Sequence, residues 1–177
     1  NGEAYFQVKP AANTFIVEVA NGAVVEVAGT KFNVRSWSGD LVSPTVVSVA
    51  SGSVNFYPVA NKSNVVKLKG GLSSNWRKGQ RKPSDPEKVD ITEVLGWKEN
   101  KLSFVGRPLR LIFDELERKF DTRIEIKGVE IGKETLTTYY SNAENVEMIL
   151  DDIATVKGLN YRETANGYIV FKNDGNS

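Results

Sequence analysis

Residues 25–34 read VEVAGTKFNV, and this stretch decides how the first half of the chain folds. Val25 and Val27 alternate with other residues before Gly29, and Phe32 and Val34 alternate in the same way after it. Apolar residues at every second position are typical of strands that bury one face. A glycine between two such runs supplies the backbone freedom that a tight turn needs. The stretch therefore predicts two short strands joined by a turn.

The same alternation extends in both directions from this stretch. Between Tyr5 and Leu68 it recurs at residues 15, 17 and 19, at 47 and 49, and at 54 and 56. We therefore predict an all-β antiparallel subdomain, a meander or a sandwich-like fold, over residues 1–76. Residues 77–95 begin with the polar run RKGQRKPSDP, in which glycine and proline cannot continue a helix or a central strand, and we predict a linker or connection there.

The period of the apolar residues changes after residue 95. A helix is predicted after Pro108, because the apolar residues that follow are spaced to share one helix face. A second helix is predicted from the capping-box pattern Ser141-Asn142-Ala143-Glu144 and should end at Gly158. The two stripes are Leu109, Ile112, Phe113, Leu116 and Phe120, and then Val146, Ile149, Leu150 and Ile153.

Strand-like runs surround the two predicted helices, at residues 101–104, 123–127, 135–140, 159–163 and 168–172. The last two flank Ala165-Asn166-Gly167, in which Asn-Gly favours a hairpin turn. The order is then βαββαββ. Two amphipathic helices can cover one face of a small sheet, so we predict a small α+β subdomain over residues 96–173 and a tail over 174–177.

Composition excludes several classes of function. The 177 residues carry 23 Lys and Arg against 22 Asp and Glu, so the chain lacks the net positive charge that non-specific nucleic-acid binding requires. Histidine and cysteine are both absent, which excludes His bases, Cys nucleophiles and thiolate zinc sites. The chain also contains no phosphate-binding glycine motif. We predict no catalytic, metal or cofactor site, and therefore no enzyme.

Three segments in the first half resemble one family. Residues 2–8, GEAYFQV, residues 25–34, and the pattern V-x-V-x-x-G-x-V over residues 47–54 resemble the periplasmic domain of FecR-type anti-sigma factors. Residues 97–120, from Trp97 to Phe120, resemble the C-terminal module of the Bacteroidetes branch of these regulators. That module is similar to the small βαβ domains at the N-termini of secretins and of signalling TonB-dependent transporters.

The resemblance implies a role in signalling. It implies a periplasmic fragment of a single-pass inner-membrane protein, with the membrane anchor and a cytoplasmic sigma-binding segment expected upstream of residue 1. The partners it implies are the N-terminal signalling domain of a TonB-dependent transporter and an extracytoplasmic-function sigma factor. In this family the motifs are structural, so no catalytic residue is carried over.

The candidate partner surface is the strand of residues 135–140 together with the polar face of the first helix. Tyr139 and Tyr140 are consecutive in a strand, so one should be buried and the other exposed. An exposed aromatic residue on an edge-like strand is a suitable anchor for another protein. The candidate residues are Arg110, Asp114, Glu117, Thr137, Tyr139 and Tyr140.

The alternative function is a carbohydrate- or cell-surface-binding β module. It is suggested by the polar and aromatic loops around Trp37 and Trp76. A third hypothesis, a metal-independent hydrolase, lacks a nucleophile and base that would converge on a substrate.

Overall fold

The structure, a computed structural model, describes residues 2–37 and 44–172. The chain divides into a first unit, residues 1–95, and a second unit, residues 96–177. The predicted tail of residues 174–177 lies outside the described residues.

The first unit is built from two antiparallel sheets. Their strand orders are β1-β4-β5-β8-β9 and β2-β3-β6-β7. The elements are β1 Gly2–Gln7, β2 Phe15–Glu18, β3 Ala23–Val27, β4 Lys31–Ser36, β5 Thr45–Ser51, β6 Ser53–Pro58, β7 Val66–Lys69, β8 Leu72–Trp76, β9 Glu87–Lys88 and α1 Ile91–Val94. The predicted antiparallel all-β fold is confirmed, and its connectivity is sandwich-like because pairs of consecutive strands alternate between the two sheets.

The 25–34 stretch is the point at which the chain passes from one sheet to the other. Val25 and Val27 lie in β3, Phe32 and Val34 lie in β4, and all four belong to one buried core. Between the strands, Gly29 has a φ of +154°, and a Cβ there would lie 2.8 Å from the Cα of Pro10. A side chain at this position would therefore push the two segments apart.

Residues 77–95, the predicted connection, belong to the first unit and bond to its strand β8. The Ser74 hydroxyl donates a hydrogen bond of 2.7 Å to the carbonyl of Ser84. β9 pairs with β8, and the Val89 N–H donates to the Gly71 carbonyl at 3.1 Å. Hydrogen bonds at Ser84, β9 and Val89 thus attach this stretch to β8, while most of its charged side chains remain exposed.

The second unit has the predicted βαββαββ order with one additional short helix. Its elements are β10 Leu102–Pro108, α2 Leu109–Phe120, β11 Arg123–Lys127, α3 Val129–Lys133, β12 Thr135–Tyr140, α4 Val146–Lys157, β13 Asn160–Thr164 and β14 Gly167–Phe171. The strands form two small sheets, whereas we expected one. β10 pairs with β12 antiparallel, and the second sheet has the order β11-β14-β13, in which β11 and β14 are parallel.

The helix predictions are confirmed except for one start. Both predicted stripes face the core, and α4 ends at Gly158, which has a φ of +61°. The prediction of a capping box at Ser141–Glu144 is wrong. The N-cap is Asn145, whose side-chain oxygen accepts hydrogen bonds from the backbone N–H groups of Glu147 and Met148 at 2.7 and 3.2 Å. The β13–β14 hairpin is confirmed, with Ala165 and Asn166 in the turn and Gly167 already in the strand.

Candidate protein-binding site

The candidate surface is organised by the antiparallel pair β10 and β12, which we call the ribbon. Alternation along the two strands sends Phe104 and Tyr140 into the core, where they are 1% and 8% exposed. The same alternation sends Val105 and Tyr139 outward, where they are 77% and 60% exposed. The predicted division of Tyr139 and Tyr140 between surface and core is thus confirmed, and burial raises the pKa of Tyr140.

A β-bulge shapes the outward face of the ribbon. The register shifts between Phe104 and Arg107, so that the extra residues of β10 lie opposite Thr137. Gly106 occupies the bulge with a φ of +55°, and its N–H donates a hydrogen bond of 2.8 Å to the Thr137 hydroxyl. Bulges bend and twist a strand locally and often redirect a side chain. Here the bulge accompanies the outward placement of Val105.

The ribbon has unpaired edges. In the part of the chain that the structure describes, β10 and β12 form a two-stranded sheet, and neither has a second strand neighbour. An unpaired edge can hydrogen-bond an added strand from another protein. An exposed tyrosine beside such an edge supplies a large, rigid contact area. The ribbon thus has an unpaired edge and an exposed aromatic side chain next to each other.

The three helix residues predicted for the site are largely engaged within α2 and its neighbours. Arg110 Nε lies 3.2 Å from the carboxylate of Asp114, one turn along the same helix. Glu117 accepts a hydrogen bond of 2.5 Å from the backbone N–H of Ile124 and so fixes the start of β11. Of the three, Arg110 lies nearest the start of α2, where the Leu109 N–H donates to the carbonyl of Glu134, five residues and roughly 17 Å along the strand direction from Tyr139.

Sequence reasoning missed the part that Val105 and Arg107 take in this region. Arg107 forms a 2.7 Å ion pair with Glu115, and its guanidinium lies 5.6 Å from the ring centre of Phe104. These contacts hold α2 against β10. The only sequence signal for the bulge in β10 was the Val105-Gly106 pair, since a glycine inside a strand pattern often marks a bulge.

The carbohydrate-binding alternative rested on the loops around Trp37 and Trp76. Trp76 is 4% exposed, and its indole N–H donates to the Gln80 carbonyl at 3.1 Å, so it cannot serve as a flat platform for a sugar. The loop that follows Trp37, residues 38–43, lies outside the described residues. Among residues 2–37 and 44–172 there is no cluster of acidic side chains that could hold a metal ion. No helix in those ranges is long and apolar enough to cross a bilayer.

Comparison with known proteins adds two kinds of finding. The family model described as "FecR protein" matches residues 1–55, and the one described as "FecR, C-terminal" matches residues 101–171. Two crystal structures of a proposed anti-sigma factor from Parabacteroides distasonis ATCC 8503, at 1.65 Å and 2.50 Å resolution, have a similar fold. Each matches with a TM-score of 0.79 and 23% identity, over 98% of this chain and 78% of theirs. None of the curated proteins matches this chain.

Proposed function

The chain belongs to the FecR family of anti-sigma factors, and we propose that its second unit receives a signal by binding another protein through the ribbon. In this proposal the chain is periplasmic, its membrane anchor lies upstream of residue 1, and its action is binding and not catalysis. The proposed partner is the N-terminal signalling domain of a TonB-dependent transporter. The message passes to an extracytoplasmic-function sigma factor through a cytoplasmic segment outside this chain.

The observation that carries this proposal is the exposure of Tyr139 and Val105 beside an unpaired strand edge. Large apolar side chains that are mostly exposed do not gain the free energy of burial that stabilises the core residues beside them. A partner that covers them recovers that free energy and pairs the edge at the same time. Phe104 and Tyr140 hold the ribbon on the core, so the surface is formed before the partner arrives.

The first experiment is a calorimetric titration of this chain against the N-terminal signalling domain of the TonB-dependent transporter encoded beside it. We expect saturable binding. Tyr139→Ala should weaken it about thirtyfold, because aromatic residues at interface centres typically contribute about 2 kcal/mol or more. Val156→Ala is the matched control, since Val156 is an apolar residue of the same unit that is 67% exposed and belongs to α4 and not to the ribbon.

The outcomes test the proposed partner and the proposed surface separately. A folded wild-type chain that does not bind the transporter domain would contradict the choice of partner. Binding that Tyr139→Ala weakens no more than Val156→Ala would contradict the choice of the ribbon.

A further inference from the structure

The three-stranded sheet of the second unit has one face that is turned away from the core. Register places Ile169 of β14 between Glu125 of β11 and Arg162 of β13, and it places Phe171 beside Lys127. The alternate residues of the same strands belong to the buried core. This outward face is therefore apolar along its central strand and charged along its edges.

The short helix α3 stands beside this face and completes a groove of about 560 Å³. The apolar side chains that line it are those of Val129, Ile131, Ile169 and Phe171. Val129 is 80% exposed and also borders an adjoining hollow of about 380 Å³. We call the larger hollow the Val129 groove. Its size suits one or two apolar side chains of an incoming segment.

The charged residues around the Val129 groove are mostly cationic. Lys127, Arg162 and Lys172 line it, and Glu130 is the one carboxylate among its described lining residues. Glu130 is already paired, because its Oε1 accepts from Lys133 Nζ at 2.7 Å. Within the described ranges no ion pair involves Lys127 or Arg162, and Lys172 Nζ lies 3.9 Å from the nearest glutamate oxygen. The lining of the groove thus carries three cations against one carboxylate, and Glu125 lies on the same face, on the opposite side of Ile169 from Arg162.

We infer that the Val129 groove binds an acidic protein segment in which apolar side chains are flanked by carboxylates. The apolar residues of the segment cover Val129, Ile169 and Phe171, and its carboxylates meet Lys127 and Arg162. Complementary charge around an apolar centre gives such a site its specificity and its rate of association. Arg162 suits this role particularly well, because a guanidinium can bind a carboxylate through two parallel hydrogen bonds.

This site is distinct from the ribbon and does not depend on the proposed transporter partner. Val129 and Ile169 belong to α3 and the β11-β14-β13 sheet, whereas Tyr139 belongs to the β10–β12 sheet. A test of the groove can therefore fail while the ribbon binds its partner, and the reverse can also occur.

The test is a titration of the ¹⁵N-labelled full chain with each of three synthetic peptides, in which binding is measured by NMR chemical-shift changes of the chain. The first peptide is Glu-Asp-Leu-Phe-Asp-Glu, the second replaces Leu-Phe with Ser-Ser, and the third replaces the acids with lysine. We expect saturable shifts with the first peptide alone, centred on residues 127–131 and 169–172. Raising the salt from about 0.05 to about 0.5 M should weaken this binding, because it screens exposed charges.

Two sets of variants locate the site. The double variant Lys127→Gln/Arg162→Gln should weaken binding of the first peptide about tenfold, since two exposed ion pairs of ordinary strength are lost together. Val129→Ser should also weaken it without affecting the fold, because this side chain is mostly in solvent. Arg123→Gln is the matched control, an exposed cation at the other end of β11 and outside the groove lining.

Several results would overturn the inference. It is wrong if the first peptide does not bind, or if the Ser-Ser peptide binds equally well, which would indicate an unselective basic patch. It is also wrong if Arg123→Gln weakens binding as much as the double variant. Binding of the chain to vesicles of anionic lipid without binding of the first peptide would assign the positive charge to a membrane surface instead.

Discussion

The two units differ in the strand faces that turn away from the core. In the first unit, polar side chains on one such face are buried and bonded to one another across the strands, as in the 2.7 Å hydrogen bond from Asn33 to Glu3 and the 2.9 Å bond from Ser48 to Ser73, although Ile16 of the other sheet is 50% exposed. In the second unit the outward positions include Val105 and Tyr139, which are 77% and 60% exposed. Side chains that satisfy each other have little left to offer a partner, so the ribbon, and not the face that carries Asn33 and Ser48, has apolar side chains available for contact.

The cores differ in the same sense. The first unit is packed largely by valine and phenylalanine from strands alone, whereas the second is packed largely by isoleucine and leucine from three helices and two small sheets. In the sandwich the two sheets cover each other's inner faces. In the second unit the helices cover one face of each sheet and leave the other face open. Open faces of this kind are where binding surfaces are found.

The largest expected losses of unfolding free energy come from removing one buried side chain from each core in turn. Phe32→Ala removes a fully buried ring that stacks on Phe6 at 5.0 Å and should cost about 3–5 kcal/mol of unfolding free energy. Ile112→Ala removes a fully buried side chain from α2 and should cost about 2–5 kcal/mol. Hydrogen exchange in increasing urea should show each loss only within the unit that carries the substitution.

Exposed residues of the same units provide the controls. Phe15→Ala and Leu111→Ala remove side chains that are 40% and 41% exposed, and both should cost far less than their buried counterparts. If either core variant raised exchange equally in both units, the chain would unfold as one cooperative body, and the two cores would not contribute separately to stability.

Much of this fold could be predicted from sequence because its signals are local. Alternation at Phe32 and Val34, and the helical spacing of Ile112 and Leu116, report burial directly along the chain. Tyr139 and Tyr140 could be divided between surface and core for the same reason. The helix α3 was missed because five residues are too few to show a helical period.

The parts that could not be predicted depend on residues far apart in sequence. Lys127 and Arg162 border one groove only because β11 and β13 both pair with β14. Nothing near either residue indicates that pairing. The position of Glu117 is similar, since its charge suggested a solvent-facing residue while its carboxylate instead accepts the Ile124 N–H.

A smaller effect tests how the second unit begins its last helix. Asn145→Ala should lower the unfolding free energy of this unit by about 1 kcal/mol, because it leaves the N–H groups of Glu147 and Met148 without their side-chain acceptor. Ser141→Ala should change it by less than about 0.5 kcal/mol, since the helix starts after Asn145. Urea denaturation of both variants measures the two losses of unfolding free energy. A larger loss for Ser141→Ala than for Asn145→Ala would support a capping box at residues 141–144 after all.

The smallest effect appears in alkaline solution and compares one tyrosine from each unit. A hydrogen bond to Asp151, together with burial, raises the pKa of Tyr161 to about 12. Burial and a hydrogen bond to Glu26 raise the pKa of Tyr57 in the first unit. The unfolded chain releases its tyrosine protons near the ordinary value of 10.0, before the folded chain does. The contribution of Tyr161 is therefore complete below that pH and is lost as the pH rises toward about 12.

Replacing each tyrosine isolates this contribution. The difference in unfolding free energy between wild type and Tyr161→Phe should shrink across that pH range, and Asp151→Asn should lower the pKa of Tyr161 toward its ordinary value. Tyr57→Phe should show the same trend to a smaller extent in the first unit. A difference for Tyr161→Phe that stayed constant with pH would mean that the Asp151 bond is not made in solution. The edge of the second unit would then be more open than the structure shows, and the contrast between the two units would be sharper still.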